Sequence, residues 1–223
     1  MKTITILLAD DHTIVREGFR KMLELEPGFE IVGEAATGRE AIALALKLRP
    51  QVVLMDIAMP LLNGLEATRQ ILKALPLTRV LMLSAHSDFA YVQNATESGA
   101  VGFLLKQTSA HEVCRAIREV QAGKKFFSPS IAKQLNHQKS IDRDGLASQH
   151  TIQLTSREME VLQLIAEGKA NKETAAELGI AIKTVEKHRE HLMQKLNIHD
   201  TAGLTRYAIS AGIIESSVQL TIV

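Results

Sequence analysis

Hydrophobic positions in the first 123 residues follow two alternating periods. Short apolar runs rich in β-branched residues predict strands, and amphipathic stretches between them predict helices. The predicted strands are Ile4–Ala9, Glu30–Ala36, Val52–Met55, Val80–Ser84 and Val101–Leu105. The predicted helices are His12–Leu25, Gly38–Lys47, Leu65–Leu75, Phe89–Ser98 and Ser109–Ala122. Five strand–helix units in succession predict an α/β doubly wound parallel sheet of five strands, in the order 2-1-3-4-5.

The pattern changes after residue 123. Phe127-Ser128-Pro129-Ser130 is typical of a turn, and Ile131–Leu135 predicts a short helical segment. Residues 136–150 are polar and show no periodicity. We therefore interpret residues 124–150 as a linker between a first domain, residues 1–123, and a second domain, residues 151–223.

The second domain has only helical periodicity. Thr155 and Glu158 have the spacing of a capping box, which predicts the start of its first helix. The helices that follow are predicted at Lys172–Leu178, Ile182–Leu196 and Thr201–Ala211, with Gly179 in the turn before the longest one. A short helix, a glycine turn and a longer helix are typical of a helix-turn-helix, so this domain is predicted to be an all-α four-helix unit.

Composition excludes several classes of protein. Of 223 residues, 46% are hydrophobic and 23% are charged, which excludes a disordered chain and leaves enough apolar residues for two cores. No apolar stretch approaches the length that spans a membrane, and the single cysteine cannot form an intramolecular disulfide. A cytoplasmic protein is expected. The balance of 26 basic and 25 acidic residues excludes a uniformly basic nucleic-acid-binding surface but allows a local basic patch.

Polar residues follow the predicted strands of the first domain. Asp10 and Asp11 follow the first strand and Asp56 follows the third, while Ser84 ends the fourth and Lys106 follows the fifth. Parallel strands bring these ends to one edge of the sheet, where clustered carboxylates favour a bound Mg²⁺. Such a set suits phosphoryl transfer. The alternative is that the Asp pair only caps a helix and that the other residues are ordinary surface charges.

Four segments of the first domain resemble the receiver domains of two-component response regulators. They are Ala9-Asp10-Asp11-His12, Val53-Leu54-Met55-Asp56-Ile57-Ala58-Met59-Pro60 with Asn63-Gly64 after it, Leu83-Ser84-Ala85, and Gly102-Phe103-Leu104-Leu105-Lys106. The resemblance implies a flavodoxin-like receiver in which Asp56 accepts a phosphoryl group from the phosphohistidine of a histidine kinase. It also implies that Asp11, Asp56 and the carbonyl of Ala58 bind Mg²⁺, with Asp10 acting directly or through water.

The same resemblance assigns roles to three further residues. Ser84 would hydrogen-bond the phosphoryl oxygens, Lys106 would pair with the phosphoryl group, and Phe103 would be the aromatic switch. Phe103 stands where the family often has Tyr, and Gln107 stands where many receivers have Pro, so no cis-proline is expected there.

The longest helix of the second domain has an apolar face of Val185, Leu192 and Leu196 and an outward face of polar residues. Its size fits the major groove of DNA. The alternative is an ordinary solvated face of mixed charge. A basic patch is predicted from Lys172, Lys183, Lys187, Arg189 and Lys195.

The segments around Thr155-Ser156-Arg157-Glu158 and Lys183-Thr184-Val185-Glu186-Lys187-His188-Arg189 resemble the LuxR-type DNA-binding domain. Together with the receiver, they identify the chain as similar to NarL/FixJ-family response regulators. The resemblance implies contacts in the DNA groove and a contact with a phosphate. The residues expected to make the groove contacts are Lys183, Thr184, Lys187 and His191, and Lys172 is expected on the phosphate.

Two departures from the family pattern concern DNA binding. Ala170 replaces a frequent Ser, and Glu186 stands where several members have Lys, with Glu190 adding a second carboxylate. These carboxylates either lower non-specific affinity through phosphate repulsion or accept a hydrogen bond from cytosine N4. The helix Thr201–Ala211 resembles the family's dimer helix through Ala202, Leu204, Ala208 and Ile209. The alternative is that this face only closes the four-helix core.

The expected function is phosphorylation-controlled binding of promoter DNA by a homodimer, with RNA polymerase as a further possible partner and no enzymatic turnover. Two alternatives are a phosphotransfer enzyme or phosphatase acting on a small substrate, and an adaptor whose helical domain binds protein or RNA. Ala58, two residues after Asp56, leaves no second carboxylate there as a general acid, which argues against the enzyme. The scarcity of aromatic residues in the second domain argues against single-stranded RNA.

Overall fold

The chain divides into two units, Met1–Gln149 and His150–Val223. The computed structural model describes residues 3–85, 89–128, 131 and 154–214. Most of the predicted linker, including residues 132–135 of the predicted short helical segment, lies outside the described residues.

The first unit contains a parallel sheet in the order β2-β1-β3-β4-β5-β6. Its strands are β1 (Ile4–Ala9), β2 (Phe29–Ala35), β3 (Val52–Asp56), β4 (Arg79–Ser84), β5 (Gly102–Leu105) and β6 (Phe126–Phe127). Its helices are α1 (Thr13–Glu24), α2 (Gly38–Leu48), α3 (Gly64–Ala74), α4 (Phe89–Glu97) and α5 (Ala110–Gln121). The predicted fold class and the order of the first five strands are confirmed.

The sixth strand was not predicted, because two residues are too short to show a strand period. The sequence pattern places Phe127 in a turn, whereas the structure pairs it with Phe103 of β5. The neighbouring Phe126 is buried, and its N–H donates a hydrogen bond to the carbonyl of Val101 at 3.0 Å. Gly102 permits this approach, since a Cβ at that position would lie 2.6 Å from the carbonyl oxygen of Phe126. The sheet therefore extends past residue 123.

Two hydrophobic clusters cover the two faces of the sheet. Ile6 and Leu8 of β1 belong to one cluster, and Leu7 and Ala9 belong to the other, because successive side chains of a strand point to opposite faces. The first cluster includes residues of α1 and α5, and the second includes residues of α2, α3 and α4. Both faces of β1 and β3 are thus apolar, and polar residues are left to the strand ends.

Chain turns at the carboxyl edge of the sheet are held by close backbone contacts. The N–H of Gly64 donates to the carbonyl of Ile57 at 2.8 Å, which closes the loop between β3 and α3. Asn63 caps α3 by accepting a hydrogen bond from the N–H of Glu66. A Cβ on Gly64 would lie 1.9 Å from the carbonyl oxygen of Asp56, so only glycine fits against the end of β3.

The second unit consists of α6 (Ser156–Ala166), α7 (Asn171–Leu178), α8 (Ile182–Leu196) and α9 (Thr201–Ser210). The predicted capping box is confirmed: Thr155 Oγ1 accepts from the N–H of Glu158, and Glu158 accepts from the N–H of Thr155. Gly179 ends α7 with φ at +62°, as predicted. In the part of the chain that the structure describes, no helix has both the length and the hydrophobicity needed to cross a membrane.

The glycines of the first unit allow a matched test of the close contact at β3. We expect Gly64→Ala to lower the free energy of unfolding by more than about 2 kcal/mol, because the added methyl group meets backbone that cannot move away. Gly18→Ala, inside α1 with open space around it, is the control and is expected to raise stability by about 0.5–1 kcal/mol. Denaturant unfolding of both variants measures this difference, and equal stability of the two would contradict the assigned contact.

Candidate functional site: an acidic pocket and a groove-sized helix

The carboxyl ends of β1, β3 and β5 bring three charged groups into contact. The Nζ of Lys106 lies 2.9 Å from Asp10 Oδ2 and 2.9 Å from Asp56 Oδ2. Both carboxylates are almost completely buried, with side chains 3% and 2% exposed, while that of Lys106 is 14% exposed. One ammonium group is therefore shared by two buried carboxylates, and the group of three keeps a negative charge when all are ionised.

This geometry changes the proton affinity of the groups. Burial and the neighbouring charge of Asp10 raise the pKa of Asp56 to about 7, against the opposing effect of Lys106. Burial alone would lower the pKa of Lys106, but the charges and hydrogen bonds of Asp56 and Asp10 outweigh burial and raise it. Ionisation of the carboxylates in this pocket is therefore unfavourable, and a bound cation would make it more favourable.

Asp11 and His12 extend the pocket towards solvent. Ligand atoms of Asp10, Asp11, His12 and Asp56 all lie within 4.8 Å of one another. His12 Nδ1 lies 2.8 Å from Asp11 Oδ1, and the N–H of His12 donates to Asp10 Oδ1 at 2.9 Å. Three carboxylates at this spacing, with only one ammonium among them, fit the oxygen-ligand preference of Mg²⁺. Ala58, the fourth expected ligand, lies in the loop after β3.

Ser84 and Phe103 lie on strands next to the pocket. Ser84 is buried at the end of β4, and its carbonyl accepts a hydrogen bond from the N–H of Lys106 at 2.8 Å. Phe103 is fully buried in the cluster that includes residues of α2, α3 and α4. No cis peptide bond occurs among the described residues, as expected with Gln107 after Lys106.

Arg16 is a residue of this site that the sequence analysis missed. Its guanidinium donates to the backbone carbonyl of Asp10 at 2.6 Å and pairs with Glu34 of β2 at 3.1 Å. It therefore ties the turn that carries Asp10 and Asp11 to α1 and β2. The only signal in the sequence is an arginine one turn into the helix that follows the Asp pair, and this signal does not reveal which group it contacts.

In the second unit, α8 has the two faces that its sequence predicts. Val185, Leu192 and Leu196 are buried and form the buried face of α8. The residues predicted to contact DNA are all exposed, on α8 or at the start of α7; they are Lys172, Lys183, Thr184, Lys187 and His191. The side chains of these five make no hydrogen bond or ion pair with the residues that the structure describes, so they are available to a ligand.

The predicted basic patch is smaller than the sequence indicates. Arg189 donates to Asn171 Oδ1 at 3.3 Å and to Thr201 Oγ1 at 2.6 Å, so it connects α8 to α7 and α9. Lys195 pairs with Glu158 at 2.6 Å. Burial raises the pKa of Glu158, but the hydrogen bonds from Lys195 and Thr155 outweigh burial and lower it. Both cations therefore have partners inside the helical unit, unlike Lys172, Lys183 and Lys187.

The structure also shows how α7 begins at Ala170 and where the residues predicted for a dimer face lie on α9. Ala170 has no side-chain acceptor for the helix, but its N–H donates to Glu173 at 2.8 Å, so half of a capping box remains. Leu204 and Ala208 of α9 are fully buried in the unit's own core, whereas Ala202 is exposed and Ile209 is partly exposed. The four residues predicted for a dimer face are therefore divided between the core and the surface.

Comparison with known proteins finds a matching family for each unit. Residues 6–118 match the response regulator receiver domain, and residues 152–208 match the family described as bacterial regulatory proteins, luxR family. The response regulator protein VraR of Staphylococcus aureus is 38% identical over 213 residues, which is 96% of this chain and 100% of that protein.

Solved structures with similar folds include two forms of the RcsB response regulator. A structure of RcsB from Salmonella typhimurium has a TM-score of 0.64 at 27% identity and covers 95% of this chain and 99% of that chain. A structure of two RcsB dimers bound to two parallel DNAs has a TM-score of 0.57 at 28% identity, over 94% of this chain and 99% of that chain.

A LuxR-family two-component response regulator from Aurantimonas sp. SI85-9A1 has a TM-score of 0.60 at 37% identity and covers 62% of this chain and 99% of that chain. Taken together, the two family matches cover the receiver unit, with the pocket at the sheet edge, and the helical unit. The chain therefore belongs to the two-component response regulators of the NarL/FixJ family, which join a receiver domain to a LuxR-type DNA-binding domain.

Proposed function

We propose that Asp56 accepts a phosphoryl group from a histidine kinase and that the phosphorylated chain binds promoter DNA as a homodimer to regulate transcription. The observation that carries this proposal is the ammonium group of Lys106 at 2.9 Å from both Asp10 and Asp56, inside the pocket at the sheet edge. A carboxylate beside a fixed cation has the arrangement that phosphoryl transfer requires, since positioning and charge neutralisation supply most of the catalysis.

In the transfer, an oxygen of Asp56 attacks the phosphorus atom of the phosphohistidine. The new O–P bond forms as the N–P bond breaks, and the imidazole nitrogen of the kinase keeps the electron pair. Lys106 neutralises charge on the phosphoryl oxygens, and the hydroxyl of Ser84 donates a hydrogen bond to one of them. Asp11, Asp56 and the carbonyl of Ala58 would hold Mg²⁺, with Asp10 directly or through water. Mg²⁺ supplies further positive charge against these oxygens when it is bound.

Signal output belongs to the second unit. In our proposal α8 enters the major groove, where Lys183, Thr184, Lys187 and His191 contact DNA, while Lys172 contacts a phosphate. Support comes from the exposure of all five residues and from the RcsB structures with dimers on DNA. Phe103 changes its packing when Ser84 moves towards the phosphoryl group, and α9 contributes to the dimer.

The proposal places the protein in the cytoplasm, includes RNA polymerase as a candidate partner at the promoter and includes no catalytic turnover of a small substrate. Ala58 provides no acid or base two residues after Asp56, which supports a phosphoryl acceptor over a phosphatase.

Phosphoryl transfer to Asp56 is tested by one substitution. We expect Asp56→Asn to abolish phosphoryl incorporation from acetyl phosphate in the presence of Mg²⁺, because an amide is not a nucleophile for phosphorus at neutral pH. Asp200→Asn makes the same chemical change at the N-cap of α9, where Asn is an equally good cap, and is expected to label like the unchanged chain. Undiminished labelling of Asp56→Asn would show that another residue is the acceptor.

The charge of the pocket predicts an effect on stability. The pKa of Asp56 is about 7 in the folded state, above its unfolded value of about 3.9. The folded state therefore binds this proton more tightly, and the ionised carboxylate lowers stability as the pH rises from about 4 to above 7.

At pH 8 without divalent cations, we expect Asp56→Asn to raise Tm by about 5 °C or more, and we expect little change at pH 4. Adding Mg²⁺ is expected to raise the Tm of the unchanged chain more than that of the variant, since the variant has lost one ligand. Differential scanning calorimetry with and without Mg²⁺ measures both effects. Equal responses to Mg²⁺ would exclude Asp56 as a ligand.

Contact of Lys172 with a phosphate predicts a change in salt dependence. We expect Lys172→Ala to weaken binding to all duplex sequences alike and to reduce the slope of log K against log salt concentration by about 1. Lys47→Ala removes the same charge from the exposed surface of α2 and is expected to leave the slope unchanged. Titrations of labelled DNA at several salt concentrations make this comparison, and identical slopes for the two variants would remove Lys172 from the interface.

A further inference from the structure

Two carboxylates lie on the exposed side of α8, among the cations proposed to contact DNA. Counted at about 100° per residue, Glu186 and Glu190 point about 100° and 140° away from the centre of the buried face of α8, while Lys183 and Lys187 point about 160° away. Both glutamates are exposed. A helix that enters the groove with Lys183 and Lys187 therefore brings both carboxylates to the DNA as well.

No cation of the second unit neutralises these carboxylates within the described part of the chain. Arg189 is adjacent in sequence to Glu190, but its guanidinium is held by Asn171 and Thr201. The carboxylate of Glu186 accepts no hydrogen bond from the described residues, and that of Glu190 accepts only one, from Gln194 at 3.4 Å. The two glutamates also line a surface cleft of about 400 Å³, together with Asn171, Arg189, Met193, Gln194 and His199. Their acceptor oxygens are therefore available to an external donor.

Duplex DNA offers very few donors to a carboxylate. Phosphate oxygens repel it, and the major groove presents hydrogen-bond donors only at cytosine N4 and adenine N6. Adenine also presents the acceptor N7 beside its amino group, and guanine presents two acceptors, so both bases repel a carboxylate in whole or in part. Cytosine is the one base whose major-groove edge carries a donor with no neighbouring acceptor.

We propose that Glu186 and Glu190 determine the sequence specificity of this chain, each by accepting a hydrogen bond from the N4 amino group of a cytosine in the half-site. This inference rests on the proposed function, since it requires α8 to lie in the major groove. Lys183 and Lys187 supply attraction to the DNA, and the two carboxylates reject sites that present guanine, adenine or thymine at the positions they face.

The competing explanation is that the carboxylates only lower affinity for DNA in general. Repulsion from phosphates acts on every sequence equally, whereas acceptance from N4 acts at a single base pair. A glutamine at the same position separates the two effects, because Gln removes the charge and forms its best pair of hydrogen bonds with adenine N6 and N7. Base reading therefore predicts a change in the preferred base, and repulsion predicts a change in affinity alone.

The experiment selects duplexes from a random pool with the full chain phosphorylated by acetyl phosphate in the presence of Mg²⁺. The unchanged chain, Glu186→Gln and Glu190→Gln are compared, with Glu177→Gln on α7 as a control of equal charge. We expect the unchanged chain to enrich cytosine at two positions of the half-site. Each α8 variant should change one of them from cytosine to adenine, by about tenfold or more, while Glu177→Gln selects the same sequences as the unchanged chain.

The outcomes are distinguishable. A switch to adenine at one position in either α8 variant supports the inference for that residue. If both variants bind all sequences more tightly with an unchanged preferred sequence, the carboxylates act by repulsion alone and the inference is wrong. If the unchanged chain enriches no duplex, the proposed DNA-binding function itself fails, which is a different result. Matching thermal unfolding curves for the exposed-site variants exclude misfolding as a cause.

Discussion

The receiver unit depends on one shared cation, the ammonium group of Lys106 between two buried carboxylates. The sheet places this group: the carbonyl of Ser84 holds the N–H of Lys106, and the register of β3 with β4 sets Asp56 beside Leu83. Two carboxylates on one ammonium leave a deficit of positive charge, and burial together with the charge of Asp10 raises the pKa of Asp56 to about 7 against the effect of Lys106. The unit can therefore fold with this pocket, and a further bound cation would stabilise the folded state. This is the property that a cation-dependent acceptor needs.

Much of this architecture is predictable because its physical basis is local. Strands buried on both faces have continuous apolar runs, so the point where each run stops at Asp10 or Asp56 marks the edge of the sheet. The sixth strand and the clamp of Arg16 on the carbonyl of Asp10 depend instead on contacts between distant segments. Neither has a period or a motif, and only the folded chain shows them. The pKa of Asp56 is unpredictable for the same reason, since burial is its main cause.

In the helical unit, the sequence indicates where the cations are but not what they contact. Four cations lie on the helix α8, yet Arg189 and Lys195 have partners on other helices, and Lys183 and Lys187 are left for a ligand. Helical periodicity separates the buried face of α8 from the exposed one correctly, because burial depends on spacing alone. The partner of a side chain at the border between the two faces depends instead on which neighbouring residue offers a hydrogen-bond acceptor.

The charge of the second unit bears on how the first unit would control DNA binding in the proposed function. Residues 151–223 hold 8 basic and 9 acidic groups, a net charge of −1, and Arg157, Arg189 and Lys195 are engaged inside the unit. Few cations remain to release counterions from DNA, so we expect a single copy to have weak non-specific affinity. In the proposed function, two copies on a two-fold site would double those contacts, and a phosphoryl group that favours the dimer would control binding without changing any contact to DNA. In the proposed function, a sparsely charged reading surface would make DNA binding depend on phosphorylation, because a strongly basic surface would bind DNA before any signal arrived.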